Sequence, residues 1–325
     1  MRDRSIENPV SPVASKTGPE GASPRRVLFI FLDGVGIGLG DPTSNPFFRA
    51  RLPTLRTLLG GGMPHVDAPV VETESACAFP LDALLGVDGL PQSGTGQTAL
   101  LTGRNAPAIY GRHFGPWVPV RLRPVLKQHN VLRRAQESGF SCAFANAYPR
   151  GFQQSPWARR PAAPPLAAQA AGLLTRHQED LARGEAVSSE IVNTTWRERL
   201  GLRHLPDITP REAGANLAAI AAGAHLTFFA HYATDLVGHT RRMKPAIEAL
   251  ERVDAFLGGL IPSLGPRTLL AVASDHGNIE EVTTGHTRNP TLGLLVGAGA
   301  PALRRGQTRL TDVAQRILDY LSIES

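Results

Sequence analysis

Cysteine is scarce in this chain, which has only Cys77 and Cys142 among its 325 residues. Two cysteines that lie far apart in sequence cannot build a disulfide framework or a cysteine-based zinc site. Their small number is typical of a protein that works in a reducing compartment, where structural disulfides are rare.

Long apolar runs are missing as well, because no stretch approaches the roughly 20 residues that a membrane-spanning helix requires. The first 26 residues are rich in Ser, Pro, Glu and Arg and contain no apolar segment of the kind found in a secretory signal. We therefore expect a cytoplasmic protein that does not bind membranes. Residues 1–25 are expected to form a disordered tail ahead of a single α/β domain at 26–325.

A stripe of aromatic and basic side chains, typical of proteins that bind single-stranded nucleic acid, is also missing. Lys and Arg number 34 against 28 Asp and Glu, so the formal net charge is +6, but the basic residues are scattered along the chain. Such an excess favours small anionic partners without indicating nucleic acid. The charge is compatible with a small phosphorylated substrate, and we expect no nucleic-acid partner. The sequence leaves the oligomeric state open.

The chain does contain a series of uninterrupted apolar runs separated by helical patterns. The run at 27–32 has no polar alternation, which predicts a central strand covered on both faces. Comparable runs follow at 226–230, 268–273 and 291–296. Strands that alternate with helices are typical of an α/β fold with a mostly parallel central sheet and helices on both faces. Two segments, 105–127 and 148–207, break the pattern and are predicted to form a small cap or lid.

Side chains that bind metals lie directly beside these apolar runs. They are three carboxylates and three imidazoles: Asp33, Asp235, His239, Asp275, His276 and His286. The carboxyl ends of parallel strands meet at one edge of a sheet, so residues far apart in sequence converge there. Asp235 and His239 are four residues apart, and one helical turn puts both on a common face. Carboxylate oxygens together with imidazole nitrogens suit Zn²⁺ or Mn²⁺.

Ser93 follows a turn of small residues and opens a short helix that Gly103 closes. At a helix N-terminus its hydroxyl would lie where backbone N–H groups and the helix dipole favour a phosphate. An N-cap serine is an equally good interpretation. Counted with Ser93, the six candidates above give seven ligands, the number that suits two metal ions around a phosphate-sized gap.

Four segments resemble the alkaline phosphatase superfamily, and within it the branch that contains cofactor-independent phosphoglycerate mutase and phosphopentomutase. They are Asp33-Gly34, the segment from Ser93 through Gly96 to Gly103, Asp235-Leu-Val-Gly-His239, and Asp275-His-Gly-Asn278 with Gly285-His286-Thr-x-Asn-Pro290. The resemblance implies an alkaline phosphatase-like fold and two divalent ions, Mn²⁺ or Zn²⁺. Asp235, His239 and His286 would bind one ion. Asp33, Asp275, His276 and the Ser93 oxygen would bind the other.

The resemblance also implies that a phosphoryl group transfers to Ser93 and then to water or to a second hydroxyl. A serine hydroxyl is a poor nucleophile at neutral pH until a base or a metal activates it. Hydrolysis of a small phosphomonoester is the leading hypothesis. The alternatives are a phosphomutase, a phosphodiesterase and a metal-binding protein that has lost catalysis. Thr95 is the alternative nucleophile, but its register against Gly103 fits the family pattern less well than that of Ser93.

The chain departs from the phosphoglycerate mutase pattern in two places. Only 141 residues lie between Ser93 and Asp235, whereas that enzyme has a much longer insertion, and Gln97 stands where the family signature has a histidine. Both differences argue against that particular mutase activity and leave the predicted metal ligands intact. No Cys-x-Pro-x-Arg segment of the sulfatases is present. Substrate contacts are predicted for four basic residues, Arg104, Arg112, His113 and Arg123.

Overall fold

A mixed β-sheet of seven strands runs through the part of the chain that the computed structural model describes, residues 24–297 and 299–323. The strands are β1 (Arg26–Leu32), β2 (Val71–Glu72), β3 (Ala76–Leu81), β4 (Cys142–Phe144), β5 (Leu226–His231), β6 (Thr268–Ala273) and β7 (Thr291–Val296). Their spatial order is β2-β3-β7-β6-β1-β5-β4.

Strand direction changes towards one side of this sheet. The neighbours β6, β1, β5 and β4 are parallel, whereas β7 is antiparallel to both β6 and β3, and β2 is antiparallel to β3. Five strands therefore share one direction, and β2 and β7 oppose them. The predicted α/β fold class with a mostly parallel sheet is confirmed, although β7 does not follow the parallel pattern.

Strand β1 lies at the centre of the parallel part, between β5 and β6. From Val27 to Leu32 every residue is buried, as the uninterrupted apolar run predicts. Its register pairs Leu32 with His231 of β5 and Phe31 with Ala273 of β6. The three strands thus end side by side, so the residues that follow them lie at one edge of the sheet.

Helices cover both faces of the sheet. They are α1 (Pro53–Leu58), α2 (Ser93–Thr102), α3 (Ala106–Tyr110), α4 (Arg123–His129), α5 (Val131–Glu137), α6 (Ala163–Ala170), α7 (Gln178–Ala182), α8 (Thr194–Glu198), α9 (Pro210–Ala222), α10 (Ala233–Gly238), α11 (Met243–Leu260), α12 (Ala300–Arg304) and α13 (Leu310–Ser322). Short 3₁₀ helices occur at Pro46–Phe48, Val120–Leu122, Phe152–Gln154, Pro156–Arg159 and Ile261–Ser263.

Alternate side chains of β1 enter two separate hydrophobic cores, because successive residues of a strand point to opposite faces. Phe29 packs on one face with residues of α2, α5, α6 and α13. Leu28 packs on the other with residues of α9 and α11. Helix α2, which begins at the predicted nucleophile, is therefore fixed to the sheet by its own buried residues.

The two segments predicted as lids differ in their packing. In 105–127, Val118, Leu122 and Leu126 are fully buried and belong to the main core on the α2 face. In 148–207, Ala163 and Leu166 of α6 belong to the same main core, whereas Leu181 and Trp196 belong to a small separate core. Movement of either segment over the site stays a prediction.

Residues 1–23 of the predicted N-terminal tail lie outside the described residues. Over 24–297 and 299–323, no helix combines the length and the apolar character that crossing a bilayer would require.

Candidate metal centre

The six charged candidates and Ser93 meet at one edge of the sheet. Asp33 directly follows β1, and Asp275 and His276 follow β6. Asp235 belongs to α10, which begins directly after β5. His286 precedes its strand, and it reaches the same edge because β7 runs in the opposite direction to β6.

Three of these residues form a buried first cluster, Asp33, Asp275 and His276. Their candidate ligand atoms all lie within 4.8 Å of one another. The Nε2 atom of His276 is 3.3 Å from Asp33 Oδ1 and 3.7 Å from Asp275 Oδ2. Ser93 Oγ lies 3.0 Å from the same nitrogen. The hydroxyl is therefore directed at the point where the first cluster would hold an ion.

The other three form a second cluster, Asp235, His239 and His286. Asp235 Oδ2 lies 3.3 Å from His239 Nε2, and Asp235 Oδ1 lies 3.5 Å from His286 Nε2. The two imidazole Nε2 atoms are 3.2 Å apart. Asp235 and His239 share a face because α10 supplies the helical turn between them. This cluster is more open than the first, since 54% of the His239 side chain is exposed.

The two clusters are neighbours. His276 Nε2 is 3.9 Å from Asp235 Oδ1, and the rings of His276 and His286 stack with centroids 4.0 Å apart. Two ions held this close can act on a single phosphoryl group from both sides.

The residues fit divalent metal ions. Asp33 Oδ1 and Asp275 Oδ2 are buried side-chain oxygens that have no hydrogen-bond partner among the described residues. Buried polar atoms without a partner are rare, and an ion that the site binds is one explanation for them. The donor set of carboxylates, imidazoles and one hydroxyl suits Mn²⁺ and Zn²⁺.

Without metal, burial and the close contacts between charged groups shift the pKa values of the candidate ligands. Burial, together with the charge of Asp275, raises the pKa of Asp33 well above its ordinary value, and burial also raises the pKa of Asp275. Burial alone would lower the pKa of His276, but Asp275 and Asp33 raise it to about 10. Burial opposes the charged form of Asp235 too, yet contacts with His286 and His276 lower its pKa to about 2.

Close backbone contacts hold α2 and its serine against this cluster. A Cβ atom on Gly96 would come within 2.7 Å of the carbonyl oxygen of Asp275, and one on Gly94 would collide with the carbonyl of Trp117. The alternative nucleophile Thr95 is engaged elsewhere, since its hydroxyl accepts from the N–H of Phe114 and contacts the carbonyl of Gln92. Of the two hydroxyls, only that of Ser93 contacts the cluster.

Neutral donors hold the carboxylates in place. Gln97 Nε2 donates to Asp33 Oδ2 at 3.2 Å, and the Gly34 N–H donates to Asp275 Oδ1 at 3.3 Å. Asn278 Nδ2 donates to Asp235 Oδ1 at 2.6 Å. Our sequence reasoning gave no role to Gln97 beyond noting its departure from the signature histidine.

Sequence reasoning missed Glu280 altogether, although the side chain is completely buried. One carboxylate oxygen accepts from the N–H groups of Gly36 and Asn278, and the other accepts from Thr287 Oγ1 and Asn289 Nδ2. These four bonds tie the loop after β1 to the loop before β7. Its only sequence signal was an acidic residue in a glycine- and histidine-rich loop.

The predicted substrate residues divide into two groups. Arg112 and His113 line an open cavity that also contacts Gln92, the residue before the nucleophile. Arg104 follows the C-terminus of α2, about 15 Å of helix away from Ser93, and Arg123 donates to the carbonyls of Val118 and Arg159. Arg104 is therefore at the opposite end of α2 from the nucleophile, and the guanidinium of Arg123 is already bound to main-chain carbonyls. Substrate contact by these four residues stays a prediction.

Part of the chain is similar in sequence to known metalloenzymes. Residues 210–325 match the family model described as the metalloenzyme superfamily. The 2,3-bisphosphoglycerate-independent phosphoglycerate mutase of Gloeothece citriformis is 38% identical over 125 residues, which are 33% of this chain and 23% of that protein. The corresponding enzyme of Chloroflexus aurantiacus is 37% identical over 130 residues, 35% of this chain and 24% of its own length.

Two solved structures resemble the whole fold. The PH0037 protein from Pyrococcus horikoshii has a TM-score of 0.55 at 14% identity, with 92% of this chain and 97% of that chain covered. The alkaline phosphatase of the Antarctic bacterium TAB5 has a TM-score of 0.51 at 12% identity, with 92% and 99% covered. Residues 210–325 are therefore similar to the metalloenzyme superfamily, and the fold is one that an alkaline phosphatase shares. The predicted resemblance is thereby confirmed, whereas the chain matches only about a quarter of the length of the mutases.

We expect Glu280→Ala to destabilise the protein by at least about 3 kcal/mol, because it leaves several buried donors without an acceptor. Urea unfolding in the presence of a chelator would measure the change. Glu281→Ala is the matched control. Within 24–297 and 299–323 the Glu281 carboxylate accepts only from its near neighbour Thr283, so its loss should cost less than about 0.5 kcal/mol. A cost below about 1 kcal/mol for Glu280→Ala would contradict the assigned role.

Metal removal should make stability depend on pH in a defined direction. The folded pKa of His276 is about 10 against 6.5 unfolded, so its contribution is fully present below pH 6.5 and is lost as pH rises towards 10. The raised pKa values of Asp33 and Asp275 likewise make the folded state less stable as pH rises. Thermal unfolding in chelator should therefore occur at lower temperature at pH 9 than at pH 6.5.

Added Mn²⁺ or Zn²⁺ should reverse that trend, because metal binding displaces protons from the ligands and strengthens as pH rises. The melting temperature should increase more at pH 8 than at pH 6. The double variant Asp235→Asn, His276→Gln is the control that should lose this response. An unchanged melting temperature of the native chain with both metals would count against the metal centre.

Proposed function

We propose that this metalloenzyme transfers phosphoryl groups through Ser93 and hydrolyses a small phosphomonoester. One observation carries the proposal: the Ser93 hydroxyl, at the N-terminus of a buried helix, lies 3.0 Å from a candidate ligand nitrogen of His276. A nucleophile in contact with a two-cluster metal site is the arrangement that in-line phosphoryl displacement requires. The family match supports the same class of chemistry.

Each cluster would hold one divalent ion, Mn²⁺ or Zn²⁺. Asp33, Asp275, His276 and Ser93 would hold the first, and Asp235, His239 and His286 the second. Bound there, the ions would lower the pKa of the serine hydroxyl and offset the charge of the attacking and leaving oxygens.

The chain itself contributes orientation and electrostatics. The first turn of α2 directs its positive dipole end towards the incoming phosphoryl group. Contacts at Gly94 and Gly96 fix the helix, so the Ser93 oxygen does not have to be reoriented during attack. The exposed His239 leaves the second cluster open to water, which would accept the phosphoryl group and release phosphate.

A phosphomutase is the second candidate, favoured by the match to phosphoglycerate mutases over 99–130 residues. A mutase must hold its reacting group away from water while the substrate reorients. Arg112 and His113 line the cavity that Gln92, the residue before the nucleophile, also lines, and they could anchor such a substrate. The exposed second cluster favours hydrolysis instead.

We expect Ser93→Ala to lower kcat for an aryl phosphate at least about a thousand-fold, since the group that attacks is removed. Phosphate release with Mn²⁺ or Zn²⁺ measures this, and the variant should still be stabilised by metal. Thr95→Val serves as the comparison for the alternative nucleophile and should keep most of the activity per folded molecule. Full activity of Ser93→Ala would refute the proposal.

The fate of the phosphoryl group separates the two candidates. With a small phosphorylated alcohol that has a second hydroxyl, phosphorus NMR should show inorganic phosphate accumulating from the start, because water reaches the open cluster. Early appearance of an isomeric phosphate ester without free phosphate would identify a mutase.

A further inference from the structure

The connection between α10 and α11 contains a strained residue, Arg241. Its φ angle is +53°, in the left-handed region that glycine adopts freely and other residues avoid. Leu85 and Ile191 are the other non-glycine residues with positive φ in the described part of the chain. The conformation is held by the Arg241 N–H, which donates to the carbonyl of Gly238 at 3.0 Å. Strain of this kind concentrates at functional sites.

The guanidinium of Arg241 lies beside the second cluster. Its Nη2 and Nε atoms are 3.6 Å and 3.9 Å from the point where a Cβ on Gly285 would lie. Gly285 directly precedes His286, and Arg241 itself is two residues after His239. The left-handed turn therefore brings a cation over the backbone next to two candidate metal ligands.

This cation makes no hydrogen bond or ion pair through its side chain with any residue in 24–297 or 299–323. The residue is exposed. The carboxylate of the nearest acidic ligand, Asp235, is already in contact with His239 and His286. Arg241 thus forms no ion pair with the cluster in the described part of the chain, and its exposed guanidinium can bind a molecule that approaches from solvent.

The direction of the proposed reaction indicates which part of a substrate would contact Arg241. Ser93 contacts the first cluster, so the attacking oxygen lies on that side. In an in-line displacement the leaving oxygen lies opposite, next to the second cluster. The alcohol part of the substrate would therefore extend past His239 and His286 towards Arg241.

We propose that Arg241 forms an anion subsite that selects phosphomonoesters whose alcohol part carries a second oxyanion, a carboxylate or another phosphate. This inference rests on the proposed function for the direction of the substrate. A planar guanidinium matches either oxyanion with two parallel hydrogen bonds. The subsite explains why a strained arginine occupies a position that glycine would fill without strain.

The test compares two aryl phosphates of matched leaving-group acidity, one plain and one with a carboxylate on the ring. Affinity is measured by titration calorimetry with Mn²⁺ in the Ser93→Ala background, where neither compound is consumed. The Ser93→Ala protein with Arg241 intact should bind the carboxylated compound about ten-fold more tightly than the plain one, which is the scale of a charge-assisted hydrogen-bonded pair. Arg241→Gly and Arg241→Gln should each abolish the preference, while Arg242→Gln, the neighbouring exposed arginine, should keep it.

A second readout separates this role from a structural one. Arg241→Gly should melt at the same or a higher temperature than the parent, because glycine adopts the left-handed turn without strain. A large drop in melting temperature for Arg241→Gly would overturn the proposal, as would a preference that survives both Arg241 variants.

Hydrolysis assays on the chain with Ser93 intact distinguish failure of the proposed hydrolysis from failure of the proposed Arg241 subsite. If neither compound releases phosphate but the Arg241 variants lose the binding preference, the proposed hydrolysis is wrong and the subsite stands. If both compounds are hydrolysed with the same kcat/KM ratio in the native chain and in Arg241→Gly, the hydrolysis stands and the subsite is wrong.

Discussion

The site depends on one electrostatic constraint, the burial of three carboxylates at the ends of neighbouring strands. Asp33, Asp235 and Asp275 are all buried, and His276 contacts each of them at 3.3–3.9 Å. Buried like charges are costly unless protons or cations neutralise them, and one imidazolium offsets only one charge. The two orphaned oxygens of Asp33 and Asp275 mark where further positive charge belongs. Without metal the centre must keep protons, and with metal it releases them.

The groups that hold these carboxylates are neutral, and this matters for metal binding. Gln97, Asn278 and the N–H of Gly34 each donate one hydrogen bond to a carboxylate. A lysine or arginine in their place would orient the same oxygens but would add a permanent charge that repels a divalent ion. Second-layer donors of this kind fix ligand geometry without competing with the metal. The amide of Gln97, where the mutase signature has histidine, keeps that donor neutral at every pH.

Much of this centre could be predicted from the sequence because apolar runs reveal strands, and strand ends reveal where ligands gather. The contribution of His286 could not be derived that way, since it precedes its strand and reaches the edge only because β7 is reversed. Apolar runs carry no sign of strand direction. Glu280 was missed because its four partners come from loops that only the fold brings together. Arg104 lies about 15 Å of helix from Ser93, a separation that a list of basic residues does not show.

The two clusters differ in solvent exposure, so the centre has a closed side and a side that is open to solvent. The first cluster is closed: Asp275 and His276 are inaccessible to solvent, and Gly96 packs against the backbone of Asp275. The second cluster opens to solvent at His239. A nucleophile needs a fixed position and a dry environment, whereas a departing alcohol and an incoming acceptor need a path. Ser93 lies on the closed side and Arg241 on the open side, so the proposed reaction would place nucleophilic attack and release of the alcohol on opposite halves of one site.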